Sequence, residues 1–545
     1  MTISYIEHLA FETPQTEAVS PKQQPNHGGG FSFVVDDWMR LDRFLIMGSE
    51  GGTYYQSEQK LTIENMKAVE RCIETDALRV IKRIVEISDS GRAYKNDPAL
   101  LALAACSKTV ASRNLRDGKT WTREYAAIEA ALPKVARTST HLFHFAEYHK
   151  ALKSGWGRRT RRMFRKWYTE MPSEKLAYQL IKYQSRDGWS HRDLMRKIKP
   201  EARTADQRAL FAFAAKGYAG LDLGEAHDDA PPDAVTRTLW AFERSKTASK
   251  KELLNLIEQH HLPHECLSNE ALAMPEVWEA LLPSMGMTAM IRRLGQMTSN
   301  GVLAPLNGNT RFVVESLRDH DKLRKARIHP MGILLALTTY ASGRGVKGAL
   351  TWQPVQAISD AMDEAFYATF KMIEPTGKRH LLALDVSGSM AGARIMNTHL
   401  AAREASAAMA LVTANVEDSS HFMGFSEQFI PLNITPRQRL DDVVKAISGL
   451  PFAGTDCALP MVWALKNKIP VDAFCIYTDS ETNYGNIHPH IALERYRQGM
   501  GIPAKLAVVG MVANQQTIAN PDDAGMMDFV GFDAAMPSII SDFLR

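Results

Sequence analysis

"LLALDVSGSM", residues 381–390, joins a short apolar run to an aspartate and two closely spaced serines. The run from Leu381 to Val386 predicts a buried strand. An Ala-rich helical pattern follows at 395–416. Further strands and helices then alternate, with strand-like apolar runs at 421–425, 473–480 and 504–512. This alternation predicts a doubly wound α/β domain built on a parallel sheet.

Two aspartates stand where predicted strands end, at Asp385 and at Asp479 in IYTDSE (476–481). Ligand sites of parallel sheets lie at the carboxyl ends of the strands, so we expect both carboxylates to face one site. The first belongs to a D-x-S-x-S loop, and a threonine stands on a later loop before a helix. Carboxylate and hydroxyl oxygens suit a hard divalent cation such as Mg2+. The predicted metal ligands are Asp385, Ser387, Ser389, Thr455 and Asp479.

The order of these five residues resembles the metal-ion-dependent adhesion site of von Willebrand factor A domains. The resemblance implies a Rossmann-like domain of that type, with Mg2+ as cofactor and an acidic group of a protein partner as a further ligand. The structural alternative is a polar turn that caps the next helix, where Asp and Ser are favoured anyway. The enzymatic alternative is a metal-dependent phosphoester hydrolase. Such sites usually place a second carboxylate two residues after the first, where this chain has Ser387, so a binding site without catalysis is favoured.

Length and composition bound the class of protein. A chain of 545 residues, 45% hydrophobic and 23% charged, is typical of a globular protein with two or more domains. No apolar run reaches the length of a membrane span, and the first residues lack a signal-peptide pattern, so we expect a cytoplasmic protein with no membrane association. The five cysteines are widely spaced without a CxxC pair, which favours reduced thiols.

The N-terminal two thirds have a different pattern. Residues 1–30 are rich in Pro, Gln and Gly and predict a mobile tail. From about residue 61 to 365, apolar residues recur at steps of three and four, which predicts successive helices without strands, arranged as a repeat array or a bundle. We place an all-α domain at 31–370 and the α/β domain at 371–545. The glycines of GSEGGTYY (48–55) favour a structural loop over a phosphate loop.

The basic residues are concentrated in one block. Residues 151–200 hold 14 Lys and Arg against 4 Asp and Glu, whereas the whole chain has a net charge of +4. Clustered guanidinium groups favour phosphate contacts, and no motif for duplex DNA is apparent, so we expect salt-dependent binding of RNA. The predicted RNA-binding residues are Arg158, Arg159, Arg161, Arg162, Arg165, Lys166, Lys182, Arg186, His191, Arg192, Arg196 and Lys197.

Aromatic residues are interleaved with these cations, and they allow two interpretations. Trp156, Trp189 and their neighbours could stack on unpaired bases. The alternative is a solvated basic face whose aromatic side chains point into the helical core. For Trp167 and Tyr183, which recur at helical spacing, the core role is favoured.

Several long strings together resemble one family, the Ro autoantigens, whose helical part is called the TROVE module. The strings are RLDRFLIMGSEGGTYYQSEQKL (40–61), RDGWSHRDLMR (186–196), ARIHPMGILLAL (326–337), EPTGKRHLLALDVSGSM (374–390) and AGTDCALPMVWA (453–464). The likeness runs from about residue 31 to the C-terminus, whereas the N-terminal tail matches nothing assignable.

The resemblance implies a multidomain fold, in which a ring of HEAT-like helical repeats is closed by the von Willebrand A-like domain. It also implies a monomeric RNA-binding protein that holds small noncoding Y RNAs on a basic outer surface and single-stranded 3′ ends of misfolded RNAs in a central hole. His191 and its neighbours in GWSH would contact Y RNA. The family's role in RNA quality control and stress survival implies a further partner, an exoribonuclease such as polynucleotide phosphorylase.

Overall fold

The protein is described here by a computed structural model. It describes residues 13–545 except 50–52, 54–55, 120–121, 222–229, 347–348, 371–373, 395–399, 433, 451–453 and 534. Most of the loop GSEGGTYY therefore lies outside the described residues. So does the start of the helix predicted at 395–416, whose described part begins at Ala402.

The region from Asp37 to Ala368 is helical, as the periodicity predicts. No helix among the described residues is both long and apolar enough to cross a membrane. The helices are α1 Asp37–Met47, α2 Glu58–Ser90, α3 Asp97–Arg116, α4 Arg123–Val135, α5 Ser139–Ala151, α6 Arg158–Glu170, α7 Ser173–Lys182, α8 His191–Ile198, α9 Ala205–Lys216, α10 Ala234–Ser245, α11 Lys250–His260, α12 Asn269–Leu272, α13 Pro275–Leu281, α14 Met287–Ser299, α15 Gly308–Arg318, α16 His320–Lys325, α17 Pro330–Ala341 and α18 Gln356–Ala368, with short 3-10 turns at Tyr218–Gly220, His264–Cys266 and Leu282–Ser284.

A small hairpin interrupts this helical region, where we expected no strands. The two-residue strands Ser185–Arg186 and Trp189–Ser190 pair antiparallel. Asp187 and Gly188 form the turn with φ of +51° and +75°, the conformation that an Asp-Gly turn favours. Ser190 then caps α8, because its hydroxyl accepts from the Asp193 N–H while the Asp193 carboxylate accepts from the Ser190 N–H.

The last helices of this region return to the first. Arg327, between α16 and α17, donates to the carbonyl of Asp89 at the end of α2 (3.1 Å). His329 Nε2 donates to the Arg92 carbonyl (3.2 Å), and its ring packs against Tyr94. The contacts between helices therefore run through the region and close on its beginning.

The C-terminal domain is the predicted α/β fold. Its elements are strands at His380–Asp385, Ser420–Phe425, Phe429–Pro431, Ala473–Thr478, Lys505–Gly510, Gln516–Thr517 and Met526–Val530, and helices at Gly388–Gly392, Ala402–Val416, Leu440–Ser448, Leu459–Lys466, Pro489–Met500 and Met536–Leu544. With Gln24–Pro25, Phe31–Val34 and the hairpin counted first, we number the strands β1 to β11 in chain order, and these helices are α19 to α24. Strand β11 and helix α24 were not predicted.

The main sheet has the order β11-β9-β8-β5-β6-β7. Strands β11, β9, β8, β5 and β6 are parallel, and β7 pairs antiparallel with β6. Strand β5 lies between β6, which follows it in the chain, and β8, on its other side. The winding direction reverses there, so the loops after β5 and β8 diverge and leave a crevice at the carboxyl ends of the strands. Asp385 and Asp479 lie at this crevice.

The two faces of the sheet belong to different parts of the core. Leu382 and Leu384 of β5 join a buried apolar cluster that is continuous with the helical region. Leu381 and Ala383, on the opposite face, pack with the interior of the C-terminal domain. All six residues of β5 are buried, as expected for a central strand covered on both faces.

The N-terminal segment differs from its prediction. Residues 13–30 were part of the expected mobile tail at 1–30, yet they lie against the C-terminal domain, while residues 1–12 lie outside the described residues. Strand β1 pairs with β2, and β2 pairs antiparallel with β10. The Gln15 side chain donates to the Asp456 carboxylate (2.6 Å) and to the Ile487 carbonyl (2.8 Å). Hydrogen bonds rather than apolar burial hold this segment, so composition alone did not reveal it.

One buried cation fastens the helical region to the sheet. Arg43 of α1 is fully buried, and its guanidinium donates to both carboxylate oxygens of Asp528 on β11 (2.7 Å each). It also donates to the carbonyls of Asn514 (2.8 Å) and Gln516 (2.9 Å). The cost of burying this charge pair is offset only because these hydrogen bonds satisfy most of the guanidinium donors.

We predict that Arg43→Ala lowers the free energy of unfolding by about 3–5 kcal/mol, because it leaves the Asp528 carboxylate buried without its cation. Arg71→Ala is the matched control, since Arg71 forms a bidentate pair with Asp37 at the surface. The control should cost no more than about 1 kcal/mol. Urea unfolding of both variants measures the difference, and equal losses would contradict the role assigned to Arg43.

Candidate functional site

Four of the five predicted metal ligands lie together at the crevice after β5 and β8, and Thr455 lies on a loop bonded to the segment that follows β8. Asp385 ends β5, Ser387 is the residue before α19, and Ser389 lies in the first turn of that helix. The Ser387 N–H donates to Asp385 Oδ1 (2.9 Å), and the two serine hydroxyls are 3.0 Å apart. The D-x-S-x-S spacing therefore turns three oxygen-bearing side chains toward one point.

The other two ligands are held by a neighbouring loop. The Thr455 N–H donates to Asn483 Oδ1, and its carbonyl accepts from the N–H groups of Asn483 and Tyr484 (2.9 Å each). Asp479 Oδ1 accepts from the Glu481 N–H (3.1 Å), whereas Asp479 Oδ2 is buried and has no hydrogen-bond partner among the described residues. All five predicted ligand residues are at most 2% exposed.

Burial of two carboxylates in one crevice perturbs both. The pKa of Asp385 is raised to about 6, chiefly because burial disfavours its charged form. The pKa of Asp479 is raised well above its ordinary value by burial and by the nearby carboxylates of Asp385 and Glu481. A bound cation would stabilise the charged forms of both carboxylates and so remove this unfavourable effect. The unpartnered Asp479 oxygen and the all-oxygen donor set fit a hard divalent ion.

Hydroxyl groups are essential to such a site. Within the part of the chain that the structure describes, no group of three or more His, Cys, Asp or Glu side chains is placed to hold a metal ion. A metal ion held by the two aspartates would therefore need further oxygen ligands, such as the hydroxyls of Ser387, Ser389 and Thr455. The donor set differs from that of a zinc or copper centre.

Several residues that support this site were not predicted. The Thr478 hydroxyl donates to Asp385 Oδ2 (2.6 Å). Asn514 Nδ2 donates to the Asp479 carbonyl (2.8 Å) and to Glu481 Oε1 (3.0 Å). Glu481 also accepts from the backbone N–H and the ring of His27 in the N-terminal segment (2.6 and 3.0 Å). Thr478 could have been found beside Asp479 in IYTDSE, but His27 and Asn514 are distant in sequence.

The predicted RNA-binding residues divide into exposed cations and cations that brace the fold. The exposed ones with no salt bridge among the described residues are Arg158, Arg161, Arg192, Arg196 and Lys197. Arg186 is exposed beside Asp187 (3.8 Å), and Arg162 is exposed but lies 3.1 Å from the Glu129 carboxylate. Helices α6 and α8 therefore present these cations to solvent.

The remaining predicted cations make structural contacts. Arg159 donates to the Tyr125 hydroxyl (2.7 Å) and stacks over that ring. Arg165 donates to the Ile198 carbonyl (2.5 Å) at the end of α8. Lys166 pairs with Glu170 (3.7 Å) and Lys182 with Glu265 (3.7 Å). These contacts stabilise the helical region. They also make these side chains less available to a ligand.

The placement of His191 differs from its predicted role as an RNA contact. The side chain is buried, its Nδ1 bonds to the Tyr168 hydroxyl (2.8 Å), and its Nε2 donates to the Tyr183 carbonyl (3.0 Å). Burial lowers the pKa of His191 to about 4, so the ring is neutral at pH 7. In this structure His191 braces the start of α8 and is not available to a ligand.

The interleaved aromatic residues are mostly packed rather than open. Trp167 is buried and donates to the Ala136 carbonyl (2.6 Å), in agreement with its predicted core role. Trp189 is buried against the half-buried Trp156, with ring centres 5.6 Å apart, and Lys197 lies over both rings. Trp156 and Trp189 were expected to stack on bases. In this structure they pack against each other and do not present an open pair of rings.

Sequence models of two domain families match the chain over nearly its whole length. The TROVE domain matches residues 24–271 and 263–378, and the Ro60 vWA domain matches residues 379–544. The chain belongs to the Ro60 family.

Relatives of this Ro60-family chain are similar to it from end to end. The RNA-binding protein RO60 of Deinococcus radiodurans is 40% identical, over 98% of this chain and 97% of the relative. The RNA-binding protein RO60 of Caenorhabditis elegans is 36% identical, over 97% and 91%. The crystal structure of the Deinococcus radiodurans RO (RSR) protein matches with a TM-score of 0.68 and 38% identity, covering 94% of this chain and 99% of that one. The predicted family and fold class are confirmed.

The burial of His191 predicts a pH dependence of stability in this Ro60-family chain. Its folded pKa of about 4 lies below the ordinary value of 6.5, so the unfolded chain binds more protons between these values. The stabilisation is complete above pH 6.5 and is lost as the pH falls toward 4. We predict that His191→Gln removes about 2 kcal/mol of the loss in unfolding free energy between pH 7 and 5.

Urea unfolding at the two pH values measures this difference. The exposed His320 supplies the control, and His320→Gln should retain the pH dependence of the unchanged protein. An unaltered pH dependence in the His191 variant would contradict a buried, neutral ring.

Proposed function

We propose that this chain is an RNA-binding protein without catalytic activity, the RNA-binding component of a ribonucleoprotein. The observation that carries the proposal is the set of exposed cations on α6 and α8 that lack acidic partners within the described residues. Such cations bind phosphates with release of counterions, which yields strong, salt-dependent affinity for nucleic acid. The names of the two full-length relatives, both RNA-binding proteins, support this function.

The finer proposal concerns which RNAs are bound and where. Small noncoding Y RNAs would lie on the basic surface of α6 and α8, and single-stranded 3′ ends of misfolded RNAs would enter a central hole between the helices. The closure of the helical region on its own beginning, through Arg327 and Asp89, supports such a hole. The protein would act as a cytoplasmic monomer in RNA quality control and the stress response, with an exoribonuclease such as polynucleotide phosphorylase as partner.

We further propose that Mg2+ binds at the crevice between β5 and β8. Asp385, Ser387, Ser389, Thr455 and Asp479 would hold the ion directly or through water. The bound ion would supply a coordination position for an acidic group of a protein partner. The chain's own part is to keep the hydroxyls and carboxylates fixed, through the Thr478 and Asn483 hydrogen bonds.

A metal-dependent phosphoester hydrolase is the alternative function. It needs a general acid beside Asp385, and Ser387 occupies the position where such sites usually carry a carboxylate. Glu481 is a further carboxylate close enough to raise the pKa of Asp479, but it is buried and bonded to His27 and Asn514. These contacts favour a binding site over a hydrolytic one.

The metal proposal predicts that Asp385→Ala abolishes Mg2+ binding, measured by titration calorimetry, because it removes one of only two carboxylate ligands. RNA affinity should persist, since the cations of α6 lie on another domain. Asp542→Ala, at an exposed carboxylate, is the control and should bind Mg2+ unchanged. Retained Mg2+ binding in Asp385→Ala would contradict the metal site. An equal loss of RNA binding would contradict the assignment of metal binding and RNA binding to separate domains.

For the RNA surface, we predict that the double change Arg158→Glu and Arg162→Glu weakens binding to structured RNA and flattens its salt dependence. Loss of two phosphate contacts should reduce the slope of log K against log salt by about 1.4–1.8. The exposed pair Arg318→Glu and Arg324→Glu, outside the basic block, is the matched control. An unchanged slope would exclude this face, and cleavage of the RNA in Mg2+ would favour the hydrolase.

A further inference from the structure

The loop after β8 holds a predicted metal ligand in a strained backbone. Ser480, directly after Asp479, has a φ of +61°, in the left-handed region that serine rarely adopts. Its hydroxyl is buried and has no hydrogen-bond partner among the described residues. A residue keeps such a conformation only where the surrounding contacts over-determine it. The direction of the Asp479 carboxylate therefore depends on what holds the residues around Ser480.

The N-terminal segment, residues 13–30, supplies many of these contacts. It bonds to three consecutive residues after Ser480. The bonds run from the His27 N–H to the Glu481 carboxylate (2.6 Å), from Asn26 Nδ2 to the Thr482 carbonyl (2.6 Å) and from Asn483 Nδ2 to the Gly28 carbonyl (2.9 Å). The strained loop is therefore held by a segment that lies more than 450 residues earlier in the chain.

A glycine allows this close approach. A Cβ atom on Gly30 would overlap the Thr482 carbonyl oxygen, so any side chain there would push the segment off the loop. The Gly30 N–H donates to Asn26 Oδ1 (2.9 Å), which orients the amide that binds Thr482. The segment therefore fits closely against the backbone of the loop.

The same contacts reach a second predicted ligand. Asn483, which bonds to Gly28, also accepts from the Thr455 N–H through its Oδ1 (2.9 Å). Gln15 donates to the carboxylate of Asp456, the residue after Thr455 (2.6 Å). The segment therefore positions the backbone at Thr455 as well as the loop after β8.

No buried apolar side chain anchors residues 13–30. The buried residues of this segment are Gln15, Gln23, Asn26 and Gly30. Hydrogen bonds within the protein replace bonds to water, so their net contribution is small and is lost when their geometry changes. Docking of the segment therefore depends on the loop keeping its strained conformation.

Metal binding acts on the same loop through charge. The charges of Asp385 and Glu481 both act on Asp479 and oppose its negative charge. This repulsion favours movement of the loop away from β5, because Asp385 is fixed at the end of that strand. With a divalent ion bound, Asp385 and Asp479 would instead be attracted to a common centre, which favours the conformation that the segment binds.

We propose that Mg2+ and the N-terminal segment bind cooperatively, because both stabilise the strained loop at 479–483, and that metal occupancy thereby controls the docking of residues 13–30. The inference rests on the proposed Mg2+ site and adds regulation to it. Coupling between two binding events is reciprocal. Docking of the segment therefore raises Mg2+ affinity by the same factor by which Mg2+ favours docking.

The coupling extends to the helical region. Gln56, just before α2, donates through its Nε2 to His27 Nε2 (2.9 Å) and to the Glu64 carboxylate of that helix (3.0 Å). Release of the N-terminal segment therefore also removes a contact between the helical region and the loop that carries Asp479.

Calorimetric titration with MgCl2 tests one direction of the coupling. Gly30→Ala and Asn26→Ala should each weaken Mg2+ binding by about tenfold, the usual effect of losing a group that orients a metal ligand. His27→Ala should also weaken it, whereas His27→Asn, which keeps an N–H near the position of Nδ1, should restore most of the affinity. Gly308→Ala is the matched control and should bind Mg2+ unchanged, since a Cβ atom there meets no atom within 4 Å.

Hydrogen–deuterium exchange tests the other direction in the unchanged protein, so its result does not depend on the folding of a variant. Saturating MgCl2 should slow exchange at the amides of Gln15, His27 and Gly30 by up to about tenfold, as reciprocity requires. Exchange in α11, which is far from the crevice in the chain, should stay the same. Asp385→Ala should show no response to MgCl2 at any of these amides.

Two results would overturn the coupling and leave the metal site standing. One is unaltered exchange at these amides in a protein that binds Mg2+ by calorimetry. The other is unchanged Mg2+ affinity in both Gly30→Ala and Asn26→Ala. Failure of the unchanged protein to bind Mg2+ overturns the proposed metal site and this inference together.

Discussion

The two domains meet at the buried guanidinium of Arg43, and much of the site's geometry depends on that meeting. Arg43 reaches from α1 to Asp528 on the edge strand β11, and on the way it holds the Asn514 carbonyl and side chain. Asn514 in turn donates to the Asp479 carbonyl. A continuous set of hydrogen bonds therefore runs from the first helix to a candidate metal ligand. The loop after β8 is thus fixed by the helical region as well as by its own domain.

The crevice between β5 and β8 concentrates negative charge that the sheet cannot stabilise. Asp385 and Asp479 are both fully buried, and Glu481 lies beside them. Without a cation, burial raises the pKa of each aspartate, and the neighbouring carboxylates raise that of Asp479 further. The hydroxyls of Ser387, Ser389 and Thr455 change this balance, since they add neutral oxygen donors without adding repulsion. Such a set fits the proposed divalent ion.

Much of the fold could be predicted from local pattern, and the misses have a physical cause. The apolar run at 381–386 and the helical periodicity of 61–365 are local signals, and they identified the sheet and the helices. Strand β11 and the N-terminal segment depend on distant partners: β11 pairs with β9 next to Arg43, and residues 13–30 are held by Asp456 and Glu481. The contact of Arg43 with β11 and the contacts of Asp456 and Glu481 with residues 13–30 each span more than 400 residues, so they leave no periodic trace in either segment.

The basic block shows how folding divides residues that look alike in sequence. Helix α6 buries Met163, Phe164 and Trp167 on one side, so its cationic side chains lie on the other sides of the helix. Arg159 and Arg165 extend toward neighbouring helices and form hydrogen bonds with them. Arg158 and Arg161 face solvent. His191 shares the block but has an apolar environment, which removes its charge. The number of cations in the sequence therefore overestimates the positive charge available to a ligand. That charge comes from the exposed cations that have no acidic partner among the described residues.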